Sequence, residues 1–95
     1  MNIKYYKKFK KDIESIDKNR IKQILKLLKT ITDIEKLDLS WLRENSFDKL
    51  KGDQNLYVYK KRFGDYRLII SIREIEKNII YVEKVGHRRD VYRSH

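Results

Sequence analysis

The chain has 95 residues, 40% of them hydrophobic and 40% charged, which suits one small domain with a single core under a heavily solvated surface. Lys and Arg number 24 against 14 Asp and Glu, giving a formal charge of +10 and an isoelectric point of 9.8, so polyanions such as nucleic acid or an acidic protein are the favoured partners. The absence of cysteine excludes disulfides, thiolate zinc sites and Cys nucleophiles, and two histidines leave little for a metal site.

No cofactor is expected. With no apolar run long enough to cross a bilayer and no signal-peptide pattern, the sequence predicts a cytoplasmic protein without membrane contact. The basic excess is spread along the chain, +4 over residues 1–48 and +6 over 49–95, so the C-terminal half is the more cationic.

Ile3 to Tyr5 can open with a short strand. Tyr6, Phe9, Ile13 and Ile16 then recur at helical spacing, opposite Lys7, Lys8, Lys10, Lys11 and Glu14. Asp17 suits the N-cap of a second helix, whose apolar stripe is Ile21, Ile24, Leu25, Leu28 and Ile31. The short connection predicts an antiparallel helical hairpin. Between Thr32 and Asp48 no single period holds, so the stretch reads as a connector with one helical turn and with Trp41 as a lid on the core.

The strand-forming part is Leu56 to Tyr92. Leu56–Phe63 and Tyr66–Ile72 flank Gly64-Asp65, a two-residue hairpin turn in which glycine can take positive φ. A third run, Ile79–Val85, ends at Gly86. The pattern as a whole predicts an α+β domain: an N-terminal strand and a helical hairpin packed on a twisted antiparallel β-sheet, in two layers.

Period-two alternation sorts the side chains. On the first strand Val58, Lys60 and Arg62 share one side and Tyr57, Tyr59, Lys61 and Phe63 the other; on the second, Tyr66, Leu68, Ile70 and Ile72 are the more apolar set, and Arg67, Ile69 and Ser71 face away from them. Arg67 is thus a cation among apolar neighbours on a central strand, to be met either by a carboxylate such as Asp65 or Glu83 or by an anionic ligand. Consecutive Lys60, Lys61 and Arg62 also have a plain reading, as solubilising charges on an edge strand.

Together these residues suit one reaction. Cutting RNA without a metal uses the adjacent 2′-OH as nucleophile, so the protein must polarise that hydroxyl, neutralise the crowded phosphorane and protonate the leaving 5′ oxygen. Lys and Arg supply preorganised positive charge, and loss of one such group costs roughly 100- to 1000-fold in rate. Tyrosine, with a reference pKa of about 10, needs cationic surroundings to transfer protons near neutrality.

Three segments, Phe47-Asp48-Lys49-Leu50-Lys51-Gly52, then Tyr59-Lys60-Lys61-Arg62-Phe63-Gly64-Asp65-Tyr66-Arg67-Leu68-Ile69, then Val85-Gly86-His87-Arg88-Arg89-Asp90-Val91-Tyr92, resemble in order and spacing the RelE/ParE superfamily of bacterial toxin-antitoxin toxins. The resemblance spans residues 1–95 as one RelE-like domain. It implies a ribosome-dependent mRNA endoribonuclease, a hydrolase-type mRNA interferase that cuts in the A site, leaves a 2′,3′-cyclic phosphate and a 5′-hydroxyl, and so inhibits translation.

By position, the resemblance makes Tyr92 the base on the 2′-OH, Arg88 the acid, Arg67 the phosphate-stabilising arginine and Lys60 one of two strand lysines. The other lysine falls on Val58. Lys51, Lys61, Arg62, His87 and Arg89 would add RNA contacts, and His87 or His95 stands behind Tyr92 as a second choice of proton-transfer group. The implied partners are mRNA, the ribosome with its rRNA, and a cognate antitoxin whose acidic or amphipathic segment covers the cationic sheet. Two other readings stay open: a ParE-like inhibitor of DNA gyrase on the same fold, and a basic RNA-binding domain without catalysis.

Overall fold

The computed structural model describes residues 1–35, 37–52, 56–73 and 78–92, the side chains of 51 and 52 excepted. In chain order come strand β1 (Asn2–Tyr5), helix α1 (Lys7–Asp12) running into a 3₁₀ turn (Ile13–Ser15), helix α2 (Lys18–Thr32), helix α3 (Leu39–Glu44) and strands β2 (Phe47–Gly52), β3 (Leu56–Phe63), β4 (Tyr66–Arg73) and β5 (Ile79–His87). The strands form one five-stranded sheet in the order β1-β5-β4-β3-β2. The two-layer α+β architecture is the expected one. The sheet is mixed rather than wholly antiparallel, because β1 runs parallel to β5 before the chain leaves directly into α1.

The helices cover one face. Phe9 from α1, Ile24, Leu28 and Ile31 from α2 and Leu42 from α3 are all buried, and they meet Tyr59, Phe63, Leu68, Ile70, Ile80, Val82 and Val85 from the sheet in one cluster. The alternation read from β3 and β4 therefore holds, with Leu68 and Ile70 fully enclosed. On β5 a register shift between Ile69 and Ile70 pairs those residues with Lys84 and Val82, and the inserted Glu83 switches the inward set from even to odd numbers. Past the end of β1, the Asp12 carboxylate accepts the Val85 N–H at 3.2 Å, taking over the edge of β5.

Asp17 occupies the N-cap of α2 but makes no side-chain capping bond there. Asp38 does cap α3, accepting the Trp41 N–H at 2.8 Å. That helix is the turn expected in the connector, and Trp41 lies half-buried with its ring 6.1 Å from that of Phe47. Phe47–Gly52, which begins inside the expected connector and is not among the expected strands, is an added strand entered through Ser46 at φ 61°. A register irregularity between Lys49 and Lys51 breaks its alternation, which is why its strand character was not legible. Since β2 pairs with the outer side of β3, the Lys60–Arg62 run is on an interior strand and does not serve to block an edge.

The hairpin turn is as expected. Phe63 pairs with Tyr66, and Gly64 takes φ 61°. No helix among the described residues is long and apolar enough to cross a membrane.

Two stability predictions arise from the packing. Ser71 Oγ is buried with no hydrogen-bond partner among the described residues, so Ser71→Ala removes an uncompensated desolvation cost and should raise stability by about 1 kcal/mol, seen as an increase of roughly 4–8 °C in melting temperature. Burial, assisted by neighbouring Tyr57, pushes the Tyr59 phenol above its usual pKa of 10.0. The unfolded chain then ionises first, so this contribution is intact below about pH 10 and lost as pH rises toward the folded value. Tyr59→Phe should lose less stability than the parent between about pH 9 and pH 11, as read by urea titration.

Candidate functional site

The sheet face away from the helices carries the charged side chains in cross-strand rows. One row is Arg62, Arg67 and Gly86; the next is Asp48, Lys60, Ile69 and Lys84; a third includes Val58, Ser71 and Tyr81. Successive rows are about 7 Å apart, within the span of long side chains acting on one phosphate.

Arg67 is 7% exposed and is held by carbonyls, its Nη1 donating to Gly64 O at 2.8 Å and to Tyr66 O at 3.0 Å. Neither Asp65 nor Glu83 pairs with it among the described residues, so the carboxylate partner considered for it is not realised. Both Nη1 protons are thereby used. Nε and Nη2 make no hydrogen bond to the described residues, so that edge of the guanidinium keeps donors with the geometry to meet an anion. Arg62 stands directly opposite on β3, and two like charges in register favour an anion between them.

The same turn holds Arg88. Its N–H donates to Asp65 O at 2.7 Å, which ties the segment after β5 to the tip of the β3–β4 hairpin. The side chain is 57% exposed and its Nε lies 3.8 Å from Asp65 Oδ1, so this ion pair contributes little and leaves the guanidinium free to reach a ligand.

Beyond Arg88 the chain makes a helical turn, Asp90 N–H and Val91 N–H both donating to His87 O at 2.8 and 2.9 Å. Val91, 4% exposed, packs on Val58 and Ile69 in a second small apolar cluster on the charged face. Gly86 lies beside it, where a Cβ would be in ordinary van der Waals contact with Val91 Cβ at 3.6 Å. With Val91 seated, the Tyr92 ring comes 5.9 Å from Lys60 Nζ.

Val58 thus has a role of its own where the resemblance has a lysine: it forms the floor for the C-terminal turn. Lys60 and Tyr92 are brought together, and Arg67 and Arg88 are both fastened to the Gly64-Asp65 tip. Lys61 stands apart, on the helix side, where Nζ donates to Asn45 O at 2.6 Å and lies 5.7 Å from the Phe47 and Phe63 rings. His87 also turns to that side, opposite Tyr66 with ring centroids 6.0 Å apart, its Nδ1 accepting the Arg89 N–H at 3.2 Å. Arg62 and Arg89 are exposed. Lys51 lies in β2 opposite Val58, its side chain outside the described atoms, and His95 is outside the described residues altogether.

Sequence reasoning missed the two carbonyl anchors on the turn and the Val58–Ile69–Val91 cluster. The signal for the cluster was present, as an apolar pair on a face otherwise made of cations.

No protein-family model matches the sequence, and no curated protein matches it. Solved structures do. A chain of the archaeal RelE-RelB complex of Pyrococcus horikoshii OT3 superposes with a TM-score of 0.71 at 25% identity, over 94% of this chain and 96% of that one. A chain of the RelB-RelE antitoxin-toxin complex of Methanococcus jannaschii gives 0.68 at 25% identity, over 96% of each. The chain has a RelE-like toxin fold. The toxin-antitoxin complex RelBE2 of Mycobacterium tuberculosis shares this fold, with a TM-score of 0.60 at 16% identity over 92% of this chain and 96% of that one. Within the RelE-like fold the charged corner lies on the sheet face opposite an apolar hollow of about 690 Å³ lined by Leu39, Leu42, Phe47, Tyr57, Tyr59 and Ile72 among others.

Val58→Lys tests the role of the floor residue. Val58 is 1% exposed, so an ammonium there must be buried or displace Val91; stability should fall by about 2 kcal/mol and amide exchange at Asp90 and Val91 should quicken. Urea denaturation and hydrogen exchange read the two effects.

Proposed function

We propose that the chain is the toxin of a type II toxin-antitoxin pair and a ribosome-dependent mRNA endoribonuclease that works in the cytoplasm. The observation that supports the reading is that Arg67 and Arg88 are both fastened to the hairpin tip, while Lys60 on the adjoining row has the Tyr92 ring 5.9 Å away, on the turn seated over Val58.

In this reading Tyr92 Oη, acting as the phenolate, takes the proton of the 2′-OH to become the phenol, and the freed oxygen attacks the adjacent phosphorus. The Nε and Nη2 edge of Arg67, with Lys60, holds the non-bridging oxygens as charge builds on the phosphorane. Arg88, the exposed cation, passes a proton to the departing 5′ oxygen, which as an alkoxide is the stronger base. The P–O5′ bond breaks, leaving a 2′,3′-cyclic phosphate and a 5′-hydroxyl. Arg62 and Arg89 fit RNA phosphate contacts, as does Lys51 by its strand position. The solved neighbours came from complexes with an antitoxin, and a cognate antitoxin with an acidic or amphipathic segment complements the +10 charge of this chain.

Cleavage of mRNA on programmed ribosomes is the test. Arg67→Ala should lower the rate roughly 100- to 1000-fold and Tyr92→Phe roughly 100- to 10,000-fold, with Arg88→Ala and Lys60→Ala also impaired. Undiminished cutting by Tyr92→Phe, Arg88→Ala and Arg67→Ala together would overturn the mechanism. Inhibition of gyrase supercoiling without any mRNA cleavage would move the chain to the gyrase-directed reading.

A further inference from the structure

The two carbonyls that fasten Arg67 and Arg88 belong to a two-residue turn, and a side chain from the other layer of the protein lies against that turn. Gly64 takes φ 61°, and a Cβ built there would be 2.7 Å from Arg20 Cζ and closer still to its Nη2. The Arg20 guanidinium therefore lies directly on the glycine, in space that any side chain would occupy. Arg20 comes from the first turn of α2 and is half-buried, and its Nη1 donates to Gln23 Oε1 at 3.1 Å, which steadies the planar group. No carboxylate of the turn pairs with it among the described residues, so the contact is one of shape, a flat cation on a bare backbone.

We infer that Arg20 is a positioning residue: by pressing on Gly64 it sets the hairpin tip, and through Gly64 O and Asp65 O it sets where Arg67 and Arg88 stand. The route is short. Gly64 O accepts Arg67 Nη1 at 2.8 Å, and the next carbonyl, Asp65 O, accepts the Arg88 N–H at 2.7 Å. A shift of the tip moves both cations at once, because they hang from consecutive peptide units. Its consequence for catalysis rests on the endoribonuclease reading; the positioning itself does not.

A double-mutant cycle on the full chain tests the inference. Arg20→Ala removes the clamp. Gly64→Asn keeps a residue that tolerates positive φ but fills the space where the guanidinium lies, so it should displace Arg20. Each single variant should speed amide exchange of Arg88, with a similar melting temperature in Arg20→Ala and a lower one in Gly64→Asn, whose side chain is strained at φ 61°, and each should lower the cleavage rate at saturating toxin about 10- to 100-fold, as expected for a misplaced reacting group. The double variant should be no worse than the weaker single one, because both changes break the same contact. Arg20→Lys, which cannot lie flat, should behave like Arg20→Ala.

Unchanged exchange at Arg88 in Arg20→Ala, or strictly additive losses in the double variant, would overturn the inference. If the parent protein cuts no RNA, the endoribonuclease reading fails, and the exchange cycle still decides whether Arg20 sets the turn.

Discussion

The charged corner depends on two peptide carbonyls in one turn. A guanidinium buried to 7% exposure is expensive unless its donors are met, and here they are met by backbone, which holds the group without cancelling its charge. A carboxylate partner would have secured Arg67 equally well and neutralised it. Carbonyl anchoring keeps a net positive charge in a partly desolvated place, the condition under which charge stabilisation is strongest.

The second constraint is apolar. Tyr92 is an exposed residue on a short turn near the end of the described chain, where backbone alone would not fix it. Val91 does so by packing on Val58 and Ile69, a patch with its own small core on the face that otherwise meets solvent. The same contact explains why a valine stands at position 58. An ammonium there would stand where Val91 now sits.

The two faces of the sheet divide the work. The helix side holds the main core and an apolar hollow lined mostly by Leu, Phe, Tyr and Ile, and it also takes Lys61 and His87 out of reach of the cationic rows. The opposite side holds Arg62, Arg67 and Lys60 with the turn that carries Arg88 and Tyr92. Strand alternation produces this partition, and the bulge at Glu83 shows that a single inserted residue re-aims every later side chain on its strand.

Much of this was legible in the residues. Apolar spacing at 3.6 and at 2 is a local property of the chain, so α2, the meander, the face assignment within β3 and within β4 and the Gly64 turn could all be read from sequence, as could the place of Arg67 among apolar neighbours on a central strand. Tertiary structure alone decided the rest. The pairing that makes β2 a strand, the parallel placement of β1, the seat of Val91 and the contact of Arg20 with Gly64 all join residues far apart in the chain. Sequence periodicity says which face a side chain takes; only the folded chain says what stands opposite it there.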